Sequence, residues 1–167
     1  MGSDTDRRTR TVSWDDPLAV LRAASGSTGL ELLQQLIDER LPPPPIAMTL
    51  DFRLVEVSEG RAVFHGEPGE FLYNPIGSVH GGYAMTLLDS AMGCAIHSTL
   101  LAGETYTTLE AKVNFIRPIS TDTGPVRCEG ALVHRGDRIA TAEGKLIAER
   151  TGKLLAHGST TCLVKRQ

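Results

Sequence analysis

Asn74-Pro-Ile-Gly-Ser-Val-His80-Gly81-Gly82-Tyr-Ala-Met-Thr-Leu-Leu-Asp89-Ser90-Ala-Met-Gly-Cys-Ala-Ile-His97 is a polar, glycine-rich loop that runs into a long and almost wholly apolar segment. From Gly81 to about Leu101 the residues predict a helix buried nearly all round. One carboxylate, Asp89, interrupts it, and a charge inside such a helix is costly unless something satisfies or uses it. If Gly81 lies in the first turn, its amide has no intrahelical acceptor and sits at the positive end of the helix dipole. Such an amide can stabilise a developing oxyanion, and glycine at 81 and 82 lets a ligand reach the backbone. Asp89 follows eight residues later, roughly 12 Å along the axis, so one small reacting group cannot touch both. Two copies packed with these helices antiparallel would set each Asp89 beside the partner's Gly81, and a two-fold dimer makes that site twice.

Working outward, Ile46 to Leu54 alternate apolar and polar residues, which predicts a strand, and Arg61 to His65 predict a second. After the helix come strands only, at about 105–116, 126–134, 138–149 and 154–164. Gly124-Pro125, Arg135-Gly-Asp137 and Arg150-Thr-Gly152 carry the turn chemistry between them. In the strand at 105–116, Leu109, Ala111, Val113 and Phe115 share the apolar face, so Thr107 is expected to look towards the helix. Upstream, residues 1–13 are expected to be disordered. Residues 14–45 form an extension of two short helices broken at Gly26-Ser-Thr-Gly29 and ended by Pro42–Pro45. Residues 46–167 then make the main domain. The class is α+β, an antiparallel sheet wrapped around one long central helix, with a helical N-terminal extension.

With 167 residues, 41% of them hydrophobic, the chain can bury one substantial core. A formal net charge of −3 argues against binding of nucleic acid or anionic membrane through overall charge, so a polyanionic ligand must find a local basic patch. Asp89, His97 and scattered small polar residues argue against a membrane span over Tyr83–Leu101. Cys94, Cys128 and Cys162 lack metal-ligand or disulfide-framework spacing, and no secretory signal opens the sequence. Both point to a cytoplasmic protein without a bound metal. A structural role competes at each candidate: Asp89 bonded to an amide or a hydroxyl, His80 bonded locally where the helix begins, Asn74 shaping a turn before Pro75, Thr107 a satisfied core hydroxyl.

Asn74 through Gly82, followed by Thr86-Leu-Leu-Asp89-Ser90-Ala91, resembles the signature of the PaaI-like branch of the hotdog-fold acyl-CoA thioesterases. The resemblance continues through Thr108–Pro118 and Leu132–Arg138 and covers residues 46–165, leaving the extension outside it. It implies a hotdog fold, hydrolysis of an acyl- or aryl-CoA to acid and coenzyme A, and a homodimer or a homotetramer of two dimers. Gly81 would polarise the thioester carbonyl, with His80 and Asn74 organising the loop. Asp89 would act from the other subunit as general base or nucleophile, Thr107 would orient the attacking water, and Gly82 and Ser90 would line the substrate. Arg117, Arg135 and Arg138 are candidates for the coenzyme A phosphates, with solvated turn arginines as the competing reading. No cofactor is called for, since coenzyme A is part of the substrate. The rivals are a non-catalytic acyl-CoA-binding or sensing hotdog protein and a hotdog dehydratase. The dehydratase pattern wants a His near the Asp, and position 94 is Cys. A serine hydrolase is weaker still, since no Gly-x-Ser-x-Gly elbow is present.

Overall fold

The computed structural model describes residues 7–23 and 26–166. The expected disorder of residues 1–13 thus falls, at 1–6, outside the described residues. Residues 7–16 have neither helix nor strand and lie along the surface, with the Arg10 guanidinium 3.7 Å above the Phe71 ring. In the extension, α1 (Ala19–Ala23) buries nothing, whereas α2 (Gly29–Ile37) buries Leu32 and Leu33. A reciprocal cap starts α2: Thr28 accepts from the Glu31 amide, and the Glu31 carboxylate accepts from the Thr28 amide.

The strand expected over 46–54 is corrected. Pro45–Leu50 is a short helix, α3, and β1 (Phe52–Ser58) starts only after it. Pro45 sits in the first helical turn, where its missing amide costs nothing. Asp51 then turns left-handed, at φ 58° and ψ 60°, and stops the helix.

Beyond β1 come β2 (Arg61–Gly66), α4 (Gly81–His97), β3 (Glu104–Phe115), β4 (Val126–Arg135), β5 (Ile139–Ala148) and β6 (Leu154–Arg166). They form one six-stranded antiparallel sheet in the order β1-β2-β4-β5-β6-β3. Helix α4 packs against one face of it, touching all six strands, the hotdog arrangement. It nests there because Ala62, Gly130, Gly144 and Gly158 stand side by side across β2, β4, β5 and β6. A Cβ on Gly130 would strike the Ala91 backbone, and one on Gly144 would press on Met92 and Leu88. Leu87, Leu88, Met92 and Ile96 of the helix are wholly buried, each stabilising the fold by roughly 1.5–3 kcal/mol. Among the described residues no helix is long and apolar enough to cross a membrane.

Three further expectations change. Helix α4 ends at His97, not near Leu101, because the Ser98 hydroxyl donates to the Ala95 carbonyl at 2.8 Å and the Thr99 hydroxyl to that of Ile96 at 2.7 Å. It is not buried all round: Met85 is 45% exposed and Asp89 lies open one turn further on. Thr107 does not look towards the helix. In the β3–β6 ladder Thr108 pairs with Cys162 but Glu110 pairs with Thr161, so Leu109 is an extra residue, a bulge that reverses the inward phase. Tyr106 and Thr108 therefore turn in, and Thr107 is exposed.

Candidate active site

The loop before α4 is tied by its own side chains. Asn74 Oδ1 accepts from the amides of Ile76 at 3.1 Å and Ser78 at 3.2 Å, and its Nδ2 donates to Ser78 Oγ at 3.1 Å. The Val79 amide donates to Ile119 and the His80 amide to Leu72, which anchors the loop to its surroundings. His80 caps the helix: its Nδ1 accepts from the Gly82 amide at 2.9 Å, so its proton rests on Nε2. The Tyr83 amide donates to the His80 carbonyl. The Gly81 amide is left without a partner among the described residues. The Phe115 ring lies against Gly81, 3.1 Å from where a Cβ would be. Asn74, His80, Gly81, Phe115 and Arg117 line a cleft of about 330 Å³.

On the uncovered face of α4, Asp89 Oδ1 accepts from Thr108 Oγ1 at 3.1 Å, and Oδ2 has no protein partner among the described residues. Behind Thr108, the Cys162 thiol donates to its hydroxyl at 3.9 Å. Burial pushes the Cys94 thiol up to about 12, which makes it a wall and not a nucleophile. Gly93 receives the Tyr106 hydroxyl, which would lie 2.7 Å from a Cβ there. Ser90 is half-buried beside Asp89.

The structure therefore gathers Asn74, His80, Gly81, Gly82 and Arg117 at the helix start, and Asp89 and Ser90 with Thr108 further along. It does not add Arg135 or Arg138 to either. Arg135 Nη2 donates to Glu104 at 2.9 Å, and Arg166 shares that carboxylate, at the end of β3 opposite Arg117. Arg138 is exposed just before β5. Arg117 itself donates to the Leu154 carbonyl at 2.6 Å. Thr108 is the site residue that sequence reasoning passed over. Its only signal is a tandem threonine, and the choice between the two rests on the bulge.

The model of the thioesterase superfamily matches residues 76–155, from inside the loop to the start of β6. SSO2140 of Saccharolobus solfataricus, an esterase candidate by name, is 30% identical over 110 residues, covering 62% of this chain and 76% of its own. This chain belongs to the thioesterase superfamily. A second relative, a 1,4-dihydroxy-2-naphthoyl-CoA hydrolase of Listeria monocytogenes, is 29% identical over 119 residues, 71% of this chain and 94% of its own. Among solved thioesterase folds, a single-site variant of the phenylacetic acid degradation protein PaaI from Thermus thermophilus superposes with a TM-score of 0.64. It is 27% identical and covers 71% of this chain and 97% of its own. Thioester hydrolysis is thus the general chemistry of this thioesterase.

Proposed function

We propose that the thioesterase hydrolyses an acyl- or aryl-CoA to the free acid and coenzyme A at a site shared by two copies of the chain. The observation that carries this reading is one helix with an unpartnered amide at its start and a carboxylate on its open face, held by a hydroxyl. The Gly81 amide of one copy donates to the carbonyl oxygen of the thioester and stabilises its negative charge as the tetrahedral centre forms. Asp89 of the other copy takes a proton from water through Oδ2, or attacks the carbonyl carbon itself, while Thr108 holds Oδ1. With water as the attacking group, its oxygen–carbon bond replaces the carbon–sulfur bond and the proton held by Asp89 passes to the departing sulfur. With Asp89 as the attacking group, the thiolate leaves first and takes a proton from solvent, and water then hydrolyses the acyl–Asp89 anhydride to the free acid and restores the carboxylate. Asn74 and His80 keep the loop in shape, and Gly82 leaves room for the ligand. Arg117 is the candidate for a coenzyme A phosphate. No metal or redox group enters this chemistry, and a cytoplasmic setting suits the substrate.

Support for the second copy comes from what one chain leaves open. The outermost strand β3 exposes Leu109 and Phe115, and α4 exposes Met85 beside Asp89. Apolar edges of this kind are covered in stable proteins. The name of the Listeria relative directs the substrate panel towards aryl-CoA compounds.

The test is thiol release from straight-chain, branched, dicarboxylic and aryl acyl-CoAs by wild type and Asp89→Asn. Turnover should fall by at least about a hundredfold in the variant while its circular dichroism stays native. Equal turnover in both sinks the mechanism. A wild type that binds acyl-CoA but hydrolyses none favours the sensing reading.

A further inference from the structure

Past Asp89, the seam between α4 and β3 runs on towards the end of the helix. One turn along α4 is Gly93, and two residues back along β3 from Thr108 is Tyr106. They meet: a Cβ on Gly93 would lie 2.7 Å from the Tyr106 hydroxyl. On the far side, the Tyr106 ring stands 5.5 Å, centroid to centroid, from the His97 ring. Both rings help to wall a cavity of about 410 Å³ whose other side is the N-terminal extension, including Val20, Leu36 and Pro43. The thioesterase reading gives this cavity no role.

The cavity is suited to an apolar occupant. Burial pulls the His97 pKa down, so the imidazole is neutral and offers no cation to an anionic ligand. Glu104 in its wall is paired with Arg135 and Arg166. Tyr106 is oriented across the boundary. Its hydroxyl, raised well above the usual phenol range by burial and by Cys94, Cys162 and Asp89 nearby, faces the catalytic side, and its ring faces the cavity.

We propose that Tyr106 sets the acyl-chain length, forming the floor of the acyl site one helical turn from Asp89 and shutting off the cavity beneath the N-terminal extension. This rests on the thioesterase reading. Asp89 and Gly93 are four residues apart, roughly 6 Å along the helix axis, the length of a compact acyl group of about four or five carbons or a single aromatic ring. Removing the ring joins the acyl site to the cavity and lets a longer straight chain reach the apolar side chains of the extension.

The experiment compares kcat/KM for decanoyl-CoA and butanoyl-CoA in wild type, Tyr106→Ala, Tyr106→Phe and the Tyr106→Ala, Leu36→Trp double variant. Wild type should favour butanoyl-CoA by at least about tenfold, and Tyr106→Ala should raise the decanoyl-to-butanoyl ratio by about tenfold or more. Tyr106→Phe keeps the ring and should keep the wild-type ratio. Filling the cavity with the added tryptophan should reverse the gain. A wild type that turns over both equally, or a folded Tyr106→Ala with an unchanged ratio, overturns the proposal. Should the alanine variant not fold, Tyr106→Leu must move the ratio in the same direction. Calorimetry with non-hydrolysable decanoyl and butanoyl thioethers of coenzyme A reads the same ratio without turnover. A ratio that shifts with Tyr106 in a chain that hydrolyses nothing removes the catalytic reading and keeps this one. A ratio that stays fixed in an active enzyme does the reverse.

Discussion

Asp89 has two oxygens, and Thr108 occupies one of them at 3.1 Å. That leaves Oδ2 free for a water or a carbonyl carbon, so the hydroxyl acts by orienting the carboxylate. A hydrogen bond to a charged group contributes about 1.5–3 kcal/mol. Thr108→Val should therefore lower kcat by roughly ten- to a hundredfold if that energy is expressed in the transition state. Thr107 is exposed on the opposite phase of the strand, and Thr107→Val should leave kcat within about twofold, as substitutions away from such contacts do. Steady-state thiol release on the two valine variants decides the matter. Equal losses would mean that the bulge at Leu109 does not select the catalytic neighbour.

The elements fit because small residues line the sheet where α4 crosses it, and those positions differ in how they tolerate bulk. A Cβ at Gly130 would meet the Ala91 carbonyl and the Met92 amide, backbone that cannot yield unless the helix moves. At Gly144 the nearest atoms are the ends of the Met92 and Leu88 side chains, which can turn aside. Overpacking a core costs about 1–3 kcal/mol, so Gly130→Ala should fall at the upper end of that range and Gly144→Ala at the lower. Urea midpoints at constant slope measure both, and the reverse order would show that the helix is not seated on this row. Much of this layer was legible in the sequence. The four C-terminal strands announced themselves through alternation and through turns such as Arg135-Gly-Asp137, and α4 through its apolar length. Asn74, His80, Gly81 and Asp89 stood out as polar or glycine positions at the start and in the middle of that helix. What was not legible has physical causes. Over six residues the pattern of Pro45–Leu50 suits a strand or a turn and a half of helix equally well, and only Asp51 in its left-handed conformation decides. A bulge carries no residue-type marker, so the phase that separates Thr107 from Thr108 is invisible. Nor does an all-round apolar composition say which face of a helix its own chain leaves bare.

For the whole molecule, the decisive quantity is the separation of Gly81 and Asp89 on a single helix, roughly 12 Å. In the proposed shared site each carboxylate works with the amide of the other copy, which makes two different inactive chains able to rescue each other. Asp89→Asn supplies one. Gly81→Pro supplies the other, because proline at the first helical position removes the amide proton while suiting the helix. His80, at φ −60° and ψ 136°, already has the extended backbone that a following proline requires. Alone, Gly81→Pro should lose about two to three powers of ten in kcat and keep a melting temperature within about 4 °C of wild type. After the two variants are unfolded and refolded together, about half of the dimers pair one chain of each kind, and each such dimer holds one complete site of two. Turnover per chain should then recover to about one quarter of wild type, with sedimentation confirming dimers or larger. A site contained within one chain gives no recovery, because every chain in the mixture lacks either its amide or its carboxylate.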